Sequence, residues 1–176
     1  MNLKDSKTQQ NLMTAYLREC GAYNEYTFYA EQAKQEGYED IYRIYKEFAE
    51  NEKAHAKVWF KYFHGIGNTE ENLKDASELE RYERTVMYND FANVARIEGF
   101  IDIAEKFEIV AAIEGFHEQK YKEYLDKVKN DKMFSSETEV TWKCLNCGHI
   151  HKGKTPPTIC PSCSHPISFF KQLPEQ

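Results

Sequence analysis

Two Glu-x-x-His pairs, Glu52/His55 and Glu114/His117, recur 62 residues apart. A carboxylate and an imidazole three positions apart share one face of a helix, so each pair can offer an oxygen and a nitrogen to one ion. Glu19, Glu80 and Glu83 add carboxylates on the other long helical stretches. Near the C-terminal end, Cys144-x-x-Cys147 and Cys160-x-x-Cys163 are separated by twelve residues, enough slack for four thiolates to wrap one ion tetrahedrally. Two different metal centres in one chain point to redox chemistry rather than to simple binding.

The elements that must carry these groups follow from punctuation and period. All five prolines (Pro156, Pro157, Pro161, Pro166, Pro174) lie beyond residue 155, and Gly37, Gly65, Gly67 and Gly99 cut the preceding part into four helical segments. Apolar spacing agrees. Ile103, Phe107, Val110, Glu114, His117, Tyr121, Tyr124 and Val128 form one continuous stripe, as do Ile41, Tyr45, Phe48, Glu52, His55, Trp59 and Tyr62. Leu12, Tyr16, Glu19, Tyr23, Tyr26, Ala30 and Ala33 make a third, so the ligand residues are expected at core positions. The expected fold class is an all-α four-helix bundle with a small C-terminal metal-bound β module.

Heights along the helices match as well. Glu19 lies 18 residues before Gly37, and Glu52 and His55 lie 15 and 18 after it. Around Gly99, Glu80 and Glu83 stand 19 and 16 before, with Glu114 and His117 standing 15 and 18 after. A shift of 62 also maps Glu36-Gly37-Tyr38 onto Glu98-Gly99-Phe100 and Tyr26 onto Tyr88, while Glu19 lands on Arg81, one residue from Glu80. This internal repeat predicts two helical hairpins, with one extra residue between Glu80 and Tyr88 of the kind a π-bulge supplies.

Five carboxylates gathered in an apolar layer would be forced to protonate without a cation. Two divalent ions remove that objection. One Glu from each of two helices and Glu-x-x-His from each of two more is the donor pattern of helical bundles that hold two iron or two manganese ions. A seventh donor, Glu83, suggests an ion that takes Glu83 when ferric and His55 when ferrous. Tyr26 and Tyr88, related by the repeat, are placed to donate hydrogen bonds to ligating carboxylates. Cysteine spacing alone leaves iron and zinc both open for the four-thiolate site.

Composition bounds the rest. The charge of −6 argues against nucleic acid as a partner, and the longest apolar run, Ile109 to Ile113, excludes a membrane span. All but two of the acidic residues precede residue 139. The opening residues lack a secretory pattern and four of the five cysteines are paired for metal, so a cytoplasmic protein is expected. Cys20 reads as a plain thiol. The domain reading is a helical domain over residues 1–132, a polar linker over 133–138 and a four-cysteine module over 139–176.

Helical Glu and His ligands followed by Trp142-Lys-Cys-Leu-Asn-Cys-Gly and Cys160-Pro-Ser-Cys-Ser-His-Pro make the chain resemble the rubrerythrins. Ala49-Glu-Asn-Glu-Lys-Ala-His-Ala56 and Asn68-Thr-Glu-Glu-Asn-Leu73 extend the likeness over nearly the whole length. It implies a ferritin-like domain with two non-haem irons on Glu19, Glu52, His55, Glu80, Glu83, Glu114 and His117. It further implies a rubredoxin-like domain with one iron on Cys144, Cys147, Cys160 and Cys163, with zinc or manganese as substitutes. The implied activity is reduction of hydrogen peroxide to water in defence against oxidative stress. The implied assembly is a homodimer, with electrons from a rubredoxin or an NAD(P)H-dependent reductase. Tyr23 and Glu25 depart from the more basic residues of that pattern, which bears on the electron donor. Two other readings stay open: a ferroxidase that handles iron, and a zinc-ribbon binding module on a helical scaffold.

Overall fold

The computed structural model describes residues 3–174. The chain divides into two compact units, Met1–Ile66 and Gly67–Gln176.

The first unit is a helical hairpin of α1 (Lys7–Gln35) and α2 (Glu39–Phe63). Ser6 starts α1, its side-chain oxygen accepting from the Gln9 amide at 3.1 Å and so satisfying an N–H that has no partner inside the helix. The reversal after α1 uses Gly37 at φ +85°, a left-handed conformation that glycine adopts without a Cβ penalty. Across it the Tyr38 amide donates to the Ala33 carbonyl at 2.9 Å and the Gly37 amide to Lys34 at 3.2 Å. Ala30, Ala33, Ala49 and Ala56 are buried, so residues with almost no side chain line the seam and let two backbones approach closely.

In the second unit the α1–α2 pattern returns with one modification. Asn68 caps α3 (Thr69–Tyr82) in a reciprocal box with Glu71, the Glu71 amide bonding Asn68 Oδ1 at 3.0 Å and the Asn68 amide bonding Glu71 Oε2 at 2.8 Å. A π turn over Glu83–Met87 then carries the helix without a break into α4 (Tyr88–Glu98). Gly99, at φ +90°, reverses the chain into α5 (Ile101–Lys129). The Phe100 amide donates to Ala95 at 2.8 Å and the Gly99 amide to Arg96 at 3.2 Å, which are the first hairpin's bonds displaced by 62 residues. Ala92, Ala95, Ala104 and Ala111 form its buried seam, with Phe107 packed against it.

The rest of the second unit is a three-stranded antiparallel sheet in the order β2-β1-β3, formed by β1 (Val140–Cys144), β2 (Ile150–Gly153) and β3 (Phe170–Gln172). Trp142 faces His151 on one side and Gln172 on the other. Alternate residues of β1, Val140, Trp142 and Cys144, point inward and pack with Cys160 and Phe170. The Trp142 indole N–H donates to the Gly153 carbonyl at 2.9 Å, which satisfies its one polar atom. Phe169 does not join this core; it is exposed and its ring lies 4.4 Å from that of His165. A core built on so few side chains needs the metal as well.

The apolar stripes are buried less evenly than their spacing implies. Ile41, Phe48, Tyr62, Ile103 and Tyr124 remain exposed in the chain, whereas the alanines are covered. A helical pair encloses only its seam, and the seam selects small residues. Among the described residues no helix is long and apolar enough to cross a membrane.

Candidate metal centres

In the first unit, ligand atoms of Glu19, Glu52 and His55 lie within 4.8 Å of one another. Glu19 comes from α1 and the Glu-x-x-His pair from α2, where the i, i+3 spacing puts His55 Nδ1 3.1 Å from Glu52 Oε2. In the metal-free chain Glu19 and Glu52 lie close enough to interact through a hydrogen bond. That bond, ahead of burial, raises the Glu19 pKa, and the Trp59 indole N–H opposes the rise. Glu52 is lowered, first by the bond with Glu19 and then by His55. The Trp59 nitrogen is buried and closes no hydrogen bond meeting ordinary geometry within the described residues, so its influence on Glu19 is weak.

The second unit repeats the arrangement with Glu80, Glu114 and His117, again within 4.8 Å. His117 Nδ1 is 2.7 Å from Glu114 Oε2 and 3.7 Å from Glu80 Oε1. Burial and then the neighbouring Glu114 raise the Glu80 pKa. Glu83 stands outside this close group, but its pKa is also raised, by burial and by the charge of Glu114. Glu83, the first residue of the π turn, thus lies outside the triad but feels the charge of Glu114. The two histidines differ from the core positions their stripes predicted: their side chains are 56% and 46% exposed, against 20% and 13% for Glu52 and Glu114.

Tyr88, at the end of the π turn, has its hydroxyl pKa raised by burial and by the charges of Glu83, Glu114 and Glu80. Tyr26 is placed on α1 with its ring 6.1 Å from Tyr45. The sequence reading missed Glu118 and Arg84. Glu118 is only 4% exposed, and its Oε2 accepts from Arg84 Nε at 3.0 Å and from Nη2 at 2.9 Å. The available signal was the repeat itself, since a shift of 62 sets Glu118 against the buried Ala56.

The four cysteine sulfurs form the third group within 4.8 Å. Cys144 Sγ is 3.8 Å from Cys163 Sγ, and Cys147 Sγ is 3.7 Å from Cys160 Sγ. A tetrahedron with metal–sulfur bonds of about 2.3 Å has an edge of about 3.8 Å, so the thiols already stand at ligand spacing. The two Cys-x-x-Cys loops share one hydrogen-bond scheme. In the first, Cys144 N donates to His149 O at 2.8 Å and Gly148 N to Cys144 O at 2.9 Å; in the second, Cys160 N donates to His165 O and Ser164 N to Cys160 O at the same distances. Cys163 is lowered to about 5, chiefly by a backbone hydrogen bond from His165, while burial pushes Cys160 up to about 11. His165 is thus part of the loop rather than a bystander on the surface.

The family model for rubrerythrin matches residues 10–125, and that for the rubrerythrin rubredoxin-like domain matches residues 142–171. The chain belongs to the rubrerythrin family. Rubrerythrins are iron-dependent oxidoreductases that join a ferritin-like helical domain to a rubredoxin-like one. Rubrerythrin-1 of Clostridium acetobutylicum is 40% identical, covering 99% of this chain and 98% of its own. The rubrerythrin of Nitratidesulfovibrio vulgaris is 36% identical over 98% of this chain and 97% of its own. A solved mixed-valence state of nigerythrin aligns with 97% of this chain and 91% of its own, at 26% identity and a TM-score of 0.36.

The donor chemistry fits the groups this family carries. Carboxylate oxygens mixed with imidazole nitrogen suit iron or manganese, and four thiolates at tetrahedral spacing suit iron or zinc.

Proposed function

We propose that this rubrerythrin is a non-haem di-iron peroxidase that reduces hydrogen peroxide to water. The observation that carries the reading is the pairing of two matched carboxylate–histidine triads with a four-thiolate site in one chain. The reaction consumes two electrons and two protons and yields two waters, while one iron on four thiolates changes by a single electron. A two-electron centre refilled one electron at a time needs both kinds of site.

In this reading Glu19, Glu52, His55, Glu80, Glu83, Glu114 and His117 would together hold two irons, with a third on Cys144, Cys147, Cys160 and Cys163. Iron held by the carboxylates and histidines would supply the two electrons that the O–O bond needs, and iron held by the cysteines would supply one-electron replenishment. The chain's own groups do the rest. The Glu-x-x-His spacing orients each imidazole against its neighbouring carboxylate. Tyr88 keeps its phenolic proton beside Glu80, Glu83 and Glu114 and can donate it as a hydrogen bond to a carboxylate oxygen. Glu83, set back from the triad, is the carboxylate free to approach or withdraw. A homodimer in the cytoplasm, supplied by a rubredoxin or an NAD(P)H-dependent reductase, completes the proposal.

Stopped-flow mixing of the fully reduced protein tests it. Oxidation by hydrogen peroxide is expected to outrun oxidation by dioxygen by at least tenfold. The reverse order overturns the peroxidase assignment in favour of an oxidase.

A further inference from the structure

The second hairpin departs from the first where an ion pair on the buried carboxylate of Glu118 crosses it. Arg84, the residue after Glu83 in the π turn, reaches α5 and forks onto one oxygen of Glu118, the residue after His117. Lys122 takes the other oxygen. The path is cut to shape: a Cβ on Gly115, the residue after Glu114, would lie 2.8 Å from Arg84 Cδ, well inside van der Waals contact. Under the shift of 62, Gly115, Glu118 and Arg84 fall on Lys53, Ala56 and Ala22. Among the described residues the first hairpin shows no counterpart of this bridge and no π turn.

We propose that Arg84, Glu118 and Gly115 are positioning residues that lock the π turn to α5 and thereby fix where Glu83 and Glu80 stand relative to Glu114 and His117. The proposal rests on the reading of those four as metal ligands. Each member of the bridge is the sequence neighbour of a ligand, so it bears on ligand placement through the backbone without touching the ion. The buried Glu118 carboxylate needs a cation for stability, but the two cations do not need Glu118. Both cations on Glu118 are largely exposed, at 41% for Arg84 and 56% for Lys122, and would be hydrated if released. Glycine inside a helix is also a worse choice than alanine unless the missing Cβ makes room for something.

The experiment is equilibrium titration of the full chain with Mn2+ after one equivalent of Zn2+ has filled the thiolate site. Wild-type protein should take up Mn2+ at carboxylate sites; if it takes up none, the metal-site reading itself fails. Gly115→Ala and Glu118→Gln should each weaken the ion held at Glu80, Glu114 and His117 by 10- to 100-fold, as loss of an outer partner to a ligand does. Thermal unfolding of metal-free Gly115→Ala should not fall below wild type. Lys122→Ala, which removes a charge from Glu118 but leaves the Arg84 bridge, should bind Mn2+ as wild type does. Wild-type affinity in both Gly115→Ala and Glu118→Gln overturns the proposal. So does a loss in Lys122→Ala equal to that in Glu118→Gln, or a loss found only where helix content falls.

Discussion

The Tyr88 amide donates to the Glu83 carbonyl five residues back, which marks a π turn between the carboxylates of α3 and the start of α4. One additional residue there rotates everything before it by about 100° relative to everything after it. Glu80 lies before the turn and Glu83 opens it, whereas Ala92 and Ala95 of the seam lie after it.

Deleting Val86 should restore a plain α-helix and turn Glu80 and Glu83 away from Glu114 and His117 while the alanine seam stays packed. The expected outcome is a chain with unchanged far-ultraviolet circular dichroism that loses about one iron per subunit in elemental analysis, the thiolate iron being kept. Unchanged iron content would show that the turn does not set ligand orientation.

Acidity should have opposite effects on metal-free and metal-loaded protein. Glu80 and Glu83 are raised by burial and by Glu114. Their folded values exceed the unfolded ones, so they favour folding below the ordinary carboxylate pKa, near pH 4, and that contribution is lost as pH rises through the raised values. Glu80→Gln is always neutral. In chelator it should therefore melt higher than wild type at pH 7, with the gap closing toward about pH 4, whereas with iron present it should melt lower at pH 7. Melting curves at the two pH values, with and without metal, check both signs.

The paired cysteine loops supply a third prediction. Gly148 at φ +78° and Ser164 at φ +60° occupy equivalent left-handed positions, but only one is glycine. A side chain in that region costs roughly 1–2 kcal/mol. Ser164→Gly should stabilise the metal-loaded module by about 1 kcal/mol, and Gly148→Ala should destabilise it by a similar amount. Denaturant unfolding followed at the thiolate charge-transfer band measures both changes.

Periodicity and glycine placement were enough to read both hairpins, and the mismatch of Glu19 with Arg81 foretold the inserted residue of the π turn. Level heights around Gly37 and Gly99 anticipated the two triads, because a helix has a constant rise and a tight reversal fixes the register of its partner. Burial was harder to read. Spacing shows which residues share a face but not how much of that face a single neighbour covers, so the stripe took in Phe48 and Tyr62, which are exposed, and passed over Ala49 and Ala56, which are buried. The Arg84–Glu118 bridge was hidden for another reason: charged residues on a helix usually face water, and only the contact across α5 shows that this one does not.

The sulfur spacing in the C-terminal loops has a consequence for biosynthesis. Thiols held 3.7 and 3.8 Å apart are well suited to taking up an ion, and they need little movement to be oxidised to a pair of cross-links. Iron delivery and oxidation therefore compete for the same four atoms in a newly made chain. If the chain works on peroxide as proposed, it must receive its metal before it meets that oxidant.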